Sequence, residues 1–485
     1  MFSFLRFKEY GCATLLAYLV SYFKLLTQMK ISILAFVLLL FVISTSAQIS
    51  NPNHKFSADE LKADLSFVKQ QLFNAHANPF TEITQPEYER VFNVIEAQIT
   101  DSMTATAFFK KIRPVMAYLS DEHSQISINP SLQTAGYKVG EIFLPFSLST
   151  TGGTYRVDDV LAANADLKKG DIVAQVDGTP IASLIKQCAE YATGFPVQRT
   201  EKALQQFGYL YNMLGADNSQ NFEVKTARGK TISVKGTTLK TWTDYLVKTT
   251  GQSGNAGNDI SYTRYGDAGY INCTAFNAHN DKEMDSLRRV VATIFGQIKA
   301  DGVKNLFIDV SRNGGGNSAV GDMLTDFFYG KPYKGYQCNW KRSDEYLSLI
   351  KSWGMHDDFY TKQPVGKVIH FDAQEIKPSG SNPVRFKGKV FVIIGDGTFS
   401  SAIMFATTIK DNHIATLIGK EPQDGHPNHF GELYNTKLPN TKLDLRFGVK
   451  EWIRPAGKTG ENILRPDIAV DLNRSPEEII RSVLK

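Results

Sequence analysis

The sequence predicts an α+β protein of several domains: a helical N-terminal part, a β-rich middle part and an α/β C-terminal part. Three observations predict it. Residues 55–120 carry apolar residues at helical spacing, residues 137–240 alternate short strand patterns with turns, and residues 259–485 alternate strands with helices. With 485 residues and a hydrophobic fraction of 42%, the chain is long and apolar enough for two or three domains.

Helix-start signals define the N-terminal part. Ser57 and Thr84 each stand three residues before a glutamate, the pattern of a capping box, and Pro86 lies just inside the second start. A third helix is expected near residues 104–119. It ends in the polar segment Asp121-Glu122-His123-Ser124, and a short strand pattern follows.

The N-terminus predicts an export signal over residues 29–47. Lys30 precedes an apolar run over 31–43, and small residues then lead to a cleavage site before Gln48. Residues 1–28 are interpreted as an upstream extension that is not translated. A membrane anchor in residues 12–26 is the weaker alternative, because Lys24 and polar residues interrupt it. We therefore expect a periplasmic or secreted protein with no stable membrane insertion after cleavage.

Charge and cysteine content exclude several classes of protein. The formal net charge is +5, and residues 1–47 supply +3 of it, which leaves a nearly neutral body with no support for nucleic-acid binding. Cys188, Cys273 and Cys338 remain after cleavage, too few for a disulfide framework. Cys273 lies in a strand pattern and is expected in the core. No Cys/His spacing indicates a metal site, and we expect no cofactor.

A serine stands at a predicted strand-to-helix corner. The strand pattern over 389–394 is followed by Gly397-Thr398-Phe399-Ser400-Ser401-Ala402 and then by a helical pattern over 403–410. Such a corner can project the Ser400 hydroxyl beside the backbone N–H groups of the helix start, where they could stabilise an oxyanion. The alternative is a serine that caps the helix.

A glycine-rich turn follows a second buried-strand pattern. The strand over 303–310 leads into Gly314-Gly315-Gly316 and then into a helical pattern over 319–324. Consecutive glycines let the backbone approach a ligand closely and present several N–H groups to an anion. A phosphate-binding loop is the weaker alternative, because the P-loop lysine and the G-x-G-x-x-G spacing are absent. A plain loop is the third interpretation.

Taken in order, these segments resemble the tail-specific, or C-terminal processing, family of serine peptidases over nearly the whole mature chain. Residues 170–181 are similar to the core of a PDZ domain, and residues 308–316 resemble the family's D-L-R-x-N-x-G-G turn. Residues 398–402 fall where the family has its serine nucleophile, and Gly419 matches the end of its next strand. The resemblance implies a helical domain over 48–136, a PDZ-like domain over 137–245 and a crotonase-like, ββα-layered catalytic domain over 258–485.

The resemblance also implies site residues, and here the chain departs from many members. The family's lysine base is missing from its expected place after Gly419, and Lys420 comes too early in the turn. The sequence therefore resembles the tricorn-like branch, which uses Ser, His and Glu. The roles implied are Ser400 as nucleophile, His123 as base, Glu461 as orienter, Ser401, Gly315 and Gly316 as the oxyanion hole, and Leu144 and Phe146 in substrate binding.

Rival residues stay open for two of these roles. His426 and His429 lie nearer Ser400 in sequence and are rival bases, although their Pro/Gly-rich loop is expected to shape the substrate cleft. Asp467 is the rival carboxylate, although the P-D motif that contains it is expected to close a strand.

The resemblance implies an exported serine peptidase that acts on protein or peptide substrates. Two alternatives come from other classes of protein. One is an inactive member that binds a peptide or an apolar ligand, as retinoid-binding relatives do. The other is a PDZ scaffold whose C-terminal part only packs, which would leave the serine corner and the glycine turn unexplained. The sequence does not indicate the oligomeric state.

Overall fold

A computed structural model describes residues 51–128, 141–161, 166–215, 220–250, 259–458 and 461–485. The predicted export signal and the glycine-rich linker over 251–258 lie outside these ranges. Within them, every helix is too short or too polar to span a membrane.

The N-terminal part is helical, as predicted. Its elements are β1 (Lys55–Phe56), α1 (Ala58–Ala75), α2 (Gln85–Ala97), β2 (Met103–Thr104), α3 (Ala105–Ile112), a 3₁₀ helix (Arg113–Leu119) and β3 (Gln125–Ser127). Both capping boxes are confirmed: the amides of Ser57 and Thr84 each donate at 2.8 Å to the glutamate three residues later. The third helix changes to 3₁₀ geometry at residue 113, where Pro114 has no amide hydrogen to donate.

Within its described residues, the middle part combines small sheets with four helices. Its elements are β4 (Ile142–Phe143), β5 (Phe146–Thr151), β6 (Thr154–Val160), β7 (Val173–Val176), β8 (Thr179–Pro180), α4 (Ile181–Ala189), α5 (Pro196–Gln205), α6 (Phe207–Met213), β9 (Asn221–Thr226), β10 (Thr231–Lys235), β11 (Thr237–Thr238) and α7 (Leu239–Thr250). One sheet has the order β10-β9-β7-β8, while β5 pairs with β6 and β4 with β11. The predicted Asp177-Gly178 turn is confirmed, with positive φ at both residues.

The C-terminal part alternates strands and helices. Its elements are β12 (Ile260–Tyr265), β13 (Ala268–Cys273), α8 (Asp281–Asp301), β14 (Asn305–Asp309), α9 (Ser318–Thr325), β15 (Tyr333–Lys334), β16 (Gln337–Lys341), α10 (Asp344–Ser352), α11 (Asp358–Lys362), β17 (Val368–Phe371), β18 (Glu375–Ile376), β19 (Lys389–Ile394), α12 (Ser401–Asp411), β20 (Thr416–Gly419), β21 (His429–Lys437), β22 (Asp444–Ile453), β23 (Ile468–Ala469) and α13 (Pro476–Val483).

The principal sheet has the order β12-β13-β14-β19-β20-β23, and its pairs are parallel except β12–β13. Alternate residues of its strands enter two cores. Ile308 and Val392 pack with α8, α9 and α12, while Phe307 and Phe391 pack with α13 on the other face. Cys273 is 1% exposed, so its predicted place in the core is confirmed. Because β14 and β19 are parallel neighbours, the turns that follow them meet at one edge of the sheet.

A second sheet fastens the N-terminal part to the C-terminal part. Its order is β17-β16-β22-β21, and β3 adds to β22 with Ile126 opposite Leu445. Buried side chains of this sheet, among them Trp340 and Phe447, share a core with Leu65 and Leu72 of α1. The turn that contains His123 lies immediately before β3. Its place is therefore set by strand pairing with a segment more than 300 residues further along the chain.

Candidate active site

Ser400 occupies a strained corner between β19 and α12. Its backbone has φ 52° and ψ −123°, a region that a residue with a Cβ rarely adopts. Ser400 stands at the N-cap position, yet its side chain makes no capping hydrogen bond. The capping interpretation therefore fails, and the hydroxyl of a half-buried serine is left available for another partner.

The glycine-rich turn packs directly against this corner. A Cβ placed on Gly315, which has φ +98°, would lie 2.6 Å from Ser400 Cβ and 2.8 Å from the Ser401 amide nitrogen. At Gly316, with φ +133°, a Cβ would lie 2.3 Å from the Phe276 carbonyl oxygen. Both positions require glycine, for backbone conformation and for space. The sequence thus brings the predicted nucleophile and the predicted anion-binding turn into contact.

Hydrogen bonds hold the two turns in register. The buried Thr398 hydroxyl donates to the Val310 carbonyl at 2.8 Å, and the Phe399 amide donates to the Asn313 carbonyl at 3.0 Å. On the far side of Ser400, the Ser401 hydroxyl donates to the Gly316 carbonyl at 2.6 Å. These bonds bracket the nucleophile, so its corner is fixed by long-range contacts as well as by its own dihedral angles.

The predicted oxyanion donors differ in their availability. Within the described part of the chain, the amides of Ser401 and Gly316 have no acceptor. The Gly315 amide, by contrast, donates to Asn313 Oδ1 at 2.8 Å. The arrangement corrects the predicted set: Ser401 and Gly316 are the free donors, and Gly315 instead provides room for Ser400.

His123 lies beside the corner although it is 277 positions away in sequence. Its ring stacks on that of Phe399, the residue before Ser400, with 4.5 Å between centroids. The side chain is only 4% exposed, and its Nε2 has no hydrogen-bond partner among the described residues. Its carbonyl accepts from Arg446 Nε at 3.3 Å, which ties the turn to β22. A buried imidazole nitrogen without a partner, in a ring that packs on the residue before Ser400, is suited to proton transfer.

The carboxylate in contact with His123 is Asp121, which the sequence reasoning missed. Asp121 Oδ1 lies 3.4 Å from His123 Nδ1 and accepts the His123 amide at 3.0 Å, while its Oδ2 accepts from Ser124 Oγ at 2.5 Å. Burial alone would raise the pKa of Asp121, but the hydrogen bond and charge of His123 and the other donors hold it below its usual value. The available signal was the position of Asp121 only two residues before His123.

Glu461 lies elsewhere. Its side chain is 64% exposed and pairs with Arg465, and no contact with His123 is present among the described residues. The structure therefore does not bring Glu461 to the predicted base. Lys420 is likewise exposed and pairs with Asp396 at 2.9 Å. Asp467 accepts the Leu417 amide at 2.8 Å, which agrees with its expected place at the end of a strand.

The two rival histidines are already engaged. His426 contacts Glu122 Oε1 through Nε2 at 2.9 Å and the Asn462 carbonyl through Nδ1 at 2.6 Å. Although burial alone would lower the pKa of His426, Glu122 raises it. His429 is fully buried with Nδ1 3.0 Å from the His426 carbonyl, and burial lowers its pKa to about 3. Each ring nitrogen of His426 already faces an oxygen atom, although its Nε2 makes no hydrogen bond of good geometry with Glu122, and His429 is too weakly basic for general-base catalysis near neutral pH.

Residues of the middle part pack against the loop that contains Asp424 and His426. Phe195, just before α5, packs on the His426 ring with 4.3 Å between centroids, and Lys202 of α5 pairs with Asp424 at 3.0 Å. Leu144 and Phe146, predicted to bind substrate, have fully buried side chains in the core of the middle part. The Leu144 carbonyl accepts from the Trp242 indole at 2.9 Å. These contacts correct the prediction, because neither side chain is accessible to a peptide.

Sequence and structure comparisons agree with this geometry. The model of peptidase family S41 matches residues 267–470, which include the glycine turn and Ser400. The chain therefore contains a peptidase S41 domain. This domain makes it a serine-type peptidase. No curated protein matches the sequence.

The fold of this S41 peptidase is similar to that of CPAF. Mature CPAF aligns with a TM-score of 0.55 and 15% sequence identity, over 85% of this chain and 92% of the CPAF chain. A CPAF mutant aligns with a TM-score of 0.52 and 16% identity, over 87% and 94% of the two chains. The tricorn protease matches with a TM-score of only 0.38 and 13% identity, over 88% of this chain and 35% of its own. Membership of a tricorn-like branch stays a prediction.

The described residues contain no group of three or more His, Cys, Asp or Glu side chains able to hold a metal ion. Cys188, Cys273 and Cys338 are free and buried. The groups that this S41 peptidase gathers at the corner are a serine hydroxyl, an imidazole, a carboxylate and backbone amides.

The buried histidines predict that the protein loses stability in acid. Burial lowers the pKa of His76 to about 4 and that of His429 to about 3, against 6.5 for the free side chain. Below pH 6.5 the unfolded chain binds protons that the folded chain excludes, so the free energy of unfolding falls as the pH drops towards those values. Each histidine contributes up to about 1.4 kcal/mol per pH unit in that window.

Urea denaturation between pH 7 and pH 5 measures the slope of the free energy of unfolding against pH. His76→Gln is expected to reduce the change of the free energy of unfolding with pH, whatever the variant does to stability at pH 7. The reason is that the unfolded variant binds one proton fewer than the unfolded wild type in acid. The exposed His356 offers the matched control, and His356→Gln is expected to leave the slope unchanged. An unchanged slope in His76→Gln would show that this imidazole takes up protons equally in the folded and unfolded states.

Proposed function

We propose that this peptidase hydrolyses peptide bonds in protein or peptide substrates with Ser400 as nucleophile and His123 as general base. The observation that carries the proposal is the juxtaposition at the corner. The backbone of Ser400 is strained, and its hydroxyl makes no capping hydrogen bond. The residue before it packs on the ring of His123, whose Nε2 is buried and has no hydrogen-bond partner among the described residues. A serine hydroxyl is a poor nucleophile until a base accepts its proton.

The chemistry follows from these positions. His123 Nε2 accepts the proton of Ser400 Oγ as the oxygen attacks the scissile carbonyl carbon, and the amides of Ser401 and Gly316 stabilise the oxyanion that forms. The imidazolium then returns the proton to the leaving amine, and the C–N bond breaks. A water molecule, activated by the same histidine, hydrolyses the acyl-enzyme and regenerates the serine.

The orienting carboxylate in this proposal is Asp121. It contacts His123 Nδ1 and therefore favours the tautomer in which Nε2 is the free acceptor. Glu461, the carboxylate implied by the family resemblance, would have to leave Arg465 and approach His123 to take this role. Substitution of the two carboxylates therefore distinguishes the two assignments.

Two further parts of the proposal concern the chain around the site. The signal pattern over 29–47 supports export to the periplasm or the medium. The Gly170–Ile181 motif supports a PDZ-like middle domain, whose sheet edges offer unpaired backbone groups to an extended peptide. With Leu144 and Phe146 buried, recognition there would use the backbone at a sheet edge.

A fluorophosphonate probe tests the proposed function directly. Because such a probe reacts only with an activated serine, we expect one equivalent of label on the wild-type chain and none on Ser400→Ala. Ser348→Ala is the matched control, since it removes an exposed serine hydroxyl of α10 and leaves the corner intact, and it should still be labelled. Absence of labelling, together with no cleavage of a denatured protein substrate, would favour the alternative of an inactive member that binds peptide or an apolar ligand.

A further inference from the structure

A cavity of about 180 Å³ lies between α9 and α12, the helices that begin at the two turns of the site. Its lining includes Ser318 and Asp322 from α9, Met404 and Phe405 from α12, and the rings of Tyr336 and Trp452. This volume is sufficient for one amino-acid side chain and too small for a folded partner. The mechanism proposed above does not use the cavity.

The cavity starts one helical turn from the nucleophile. The Met404 amide donates to the Ser400 carbonyl at 3.1 Å, so the two residues are successive on one face of the first turn of α12. Ser318 is the first residue of α9, two positions after the proposed oxyanion donor Gly316. The Ser401 hydroxyl joins the two helix starts through the Gly316 carbonyl. A side chain that flanks a carbonyl held at Ser400 is therefore within reach of this cavity.

The walls are mainly apolar, but one carboxylate lines them. Aromatic and aliphatic side chains, among them Tyr336, Met404 and Trp452, line the cavity together with polar side chains such as Gln374 and Thr408. Asp322 accepts from the Tyr333 hydroxyl at 3.0 Å; the residue keeps solvent exposure, while partial burial raises the pKa of its carboxyl. Among the described residues no Lys, Arg or His forms an ion pair with it. A carboxylate in a concave site that lacks its own cation favours a cationic ligand.

We propose that this cavity binds the substrate side chain next to the scissile bond and that Asp322 selects lysine or arginine there over acidic residues. The inference rests on the proposed peptidase function of Ser400. The aliphatic stem of a lysine or arginine packs on the apolar walls, while its charged end reaches the Asp322 carboxylate. An acidic side chain would face the same carboxylate with like charge and no compensating cation.

Four quenched-fluorescent peptides that differ only in the residue before the cleaved bond test the proposal: lysine, arginine, leucine and glutamate. We expect kcat/KM for lysine and arginine to exceed that for leucine by about 10-fold, with glutamate the poorest. Asp322→Asn keeps the size of the side chain and a hydrogen-bond acceptor for Tyr333. It should lower the lysine-to-leucine ratio by roughly 10-fold or more. Asp372→Asn, at a carboxylate whose side chain is 93% exposed, should leave that ratio unchanged.

Binding of the same peptides to Ser400→Ala separates the two proposals. If the wild type cleaves none of the peptides, the peptidase function fails, while tighter binding of the lysine peptide, weakened by a second Asp322→Asn substitution, would still support the cavity. If the wild type cleaves leucine and lysine peptides equally, or if Asp322→Asn lowers all four values by the same factor, the assignment of Asp322 is overturned while the function of Ser400 stands. Equal binding of all four peptides to Ser400→Ala would overturn it as well.

Discussion

Ser400→Ala and His123→Ala are each expected to lower kcat/KM by about 10⁴-fold or more, and the double variant is expected to be no worse than either single one. The reason is that nucleophile and base act as one unit, so that removal of either abolishes the same step. Ser400→Ala removes only a corner hydroxyl and should fold normally, whereas His123→Ala leaves a cavity beside the Phe399 ring and is expected to lower the melting temperature without preventing folding. Initial rates on a peptide substrate, with circular dichroism to check folding, provide the measurement. Near-normal turnover in His123→Ala would assign the base to another residue.

The third catalytic side chain is decided by a pair of matched substitutions. If Asp121 orients His123, Asp121→Asn is expected to lower kcat by about 10²- to 10⁴-fold, because the imidazole loses its charged partner and its preferred tautomer. Glu461→Gln, at an exposed side chain paired with Arg465, is then expected to change kcat by less than about 2-fold. The reverse result would place Glu461 in the site during turnover and support the family-based assignment.

Gly315→Ala is expected to reduce activity by about 10²-fold or more, although Gly315 supplies no reacting group. Its new methyl would lie 2.6 Å from Ser400 Cβ and 2.8 Å from the Ser401 amide nitrogen, while φ at +98° strains any residue that has a Cβ. The nucleophile and an oxyanion donor must both move, and displacements near 1 Å can cost two orders of magnitude. The substitution should lower kcat and also the melting temperature.

The neighbouring glycine provides the control. Gly314 is exposed and has no positive φ, and a methyl group added to it would have no atom within 4 Å. Gly314→Ala introduces the same chemical change in the same turn without the clash, so kcat and melting temperature should stay close to the wild-type values. If the two variants behave alike, the contact between the two turns has room for a methyl group.

The corner that contains Ser400 and the glycine-rich turn could both be predicted from the sequence, because neighbouring residues alone determine their backbone conformations. A buried strand followed by glycines, or by a serine before a helical pattern, limits the backbone to few conformations, and the meeting of the two turns follows from parallel neighbouring strands. His123 was predicted through the family resemblance. Sequence spacing alone gives no reason for it to approach Phe399, since that contact depends on β3 pairing with β22.

The partners of the carboxylates at the site could not be predicted from local sequence patterns. The pairing of Glu122 with His426 and of Lys202 with Asp424 joins segments that no periodicity connects. Asp121 was visible in the same four-residue segment as His123, yet a motif match directed attention to Glu461. Leu144 and Phe146 were misplaced for a similar reason, because an apolar side chain in a strand serves a core and a ligand pocket equally well in sequence.

The pairing of β3 with β22 also determines when the proposed site can assemble during synthesis. During synthesis the ribosome releases His123 early and Ser400 late, and the strand that holds the histidine turn in place follows the serine by more than 40 residues. A nascent chain that ends between Ser400 and β22 therefore contains both proposed catalytic side chains without the strand pairing that brings them together. The proposed site can therefore form only after β22 has been synthesised and has paired with β3.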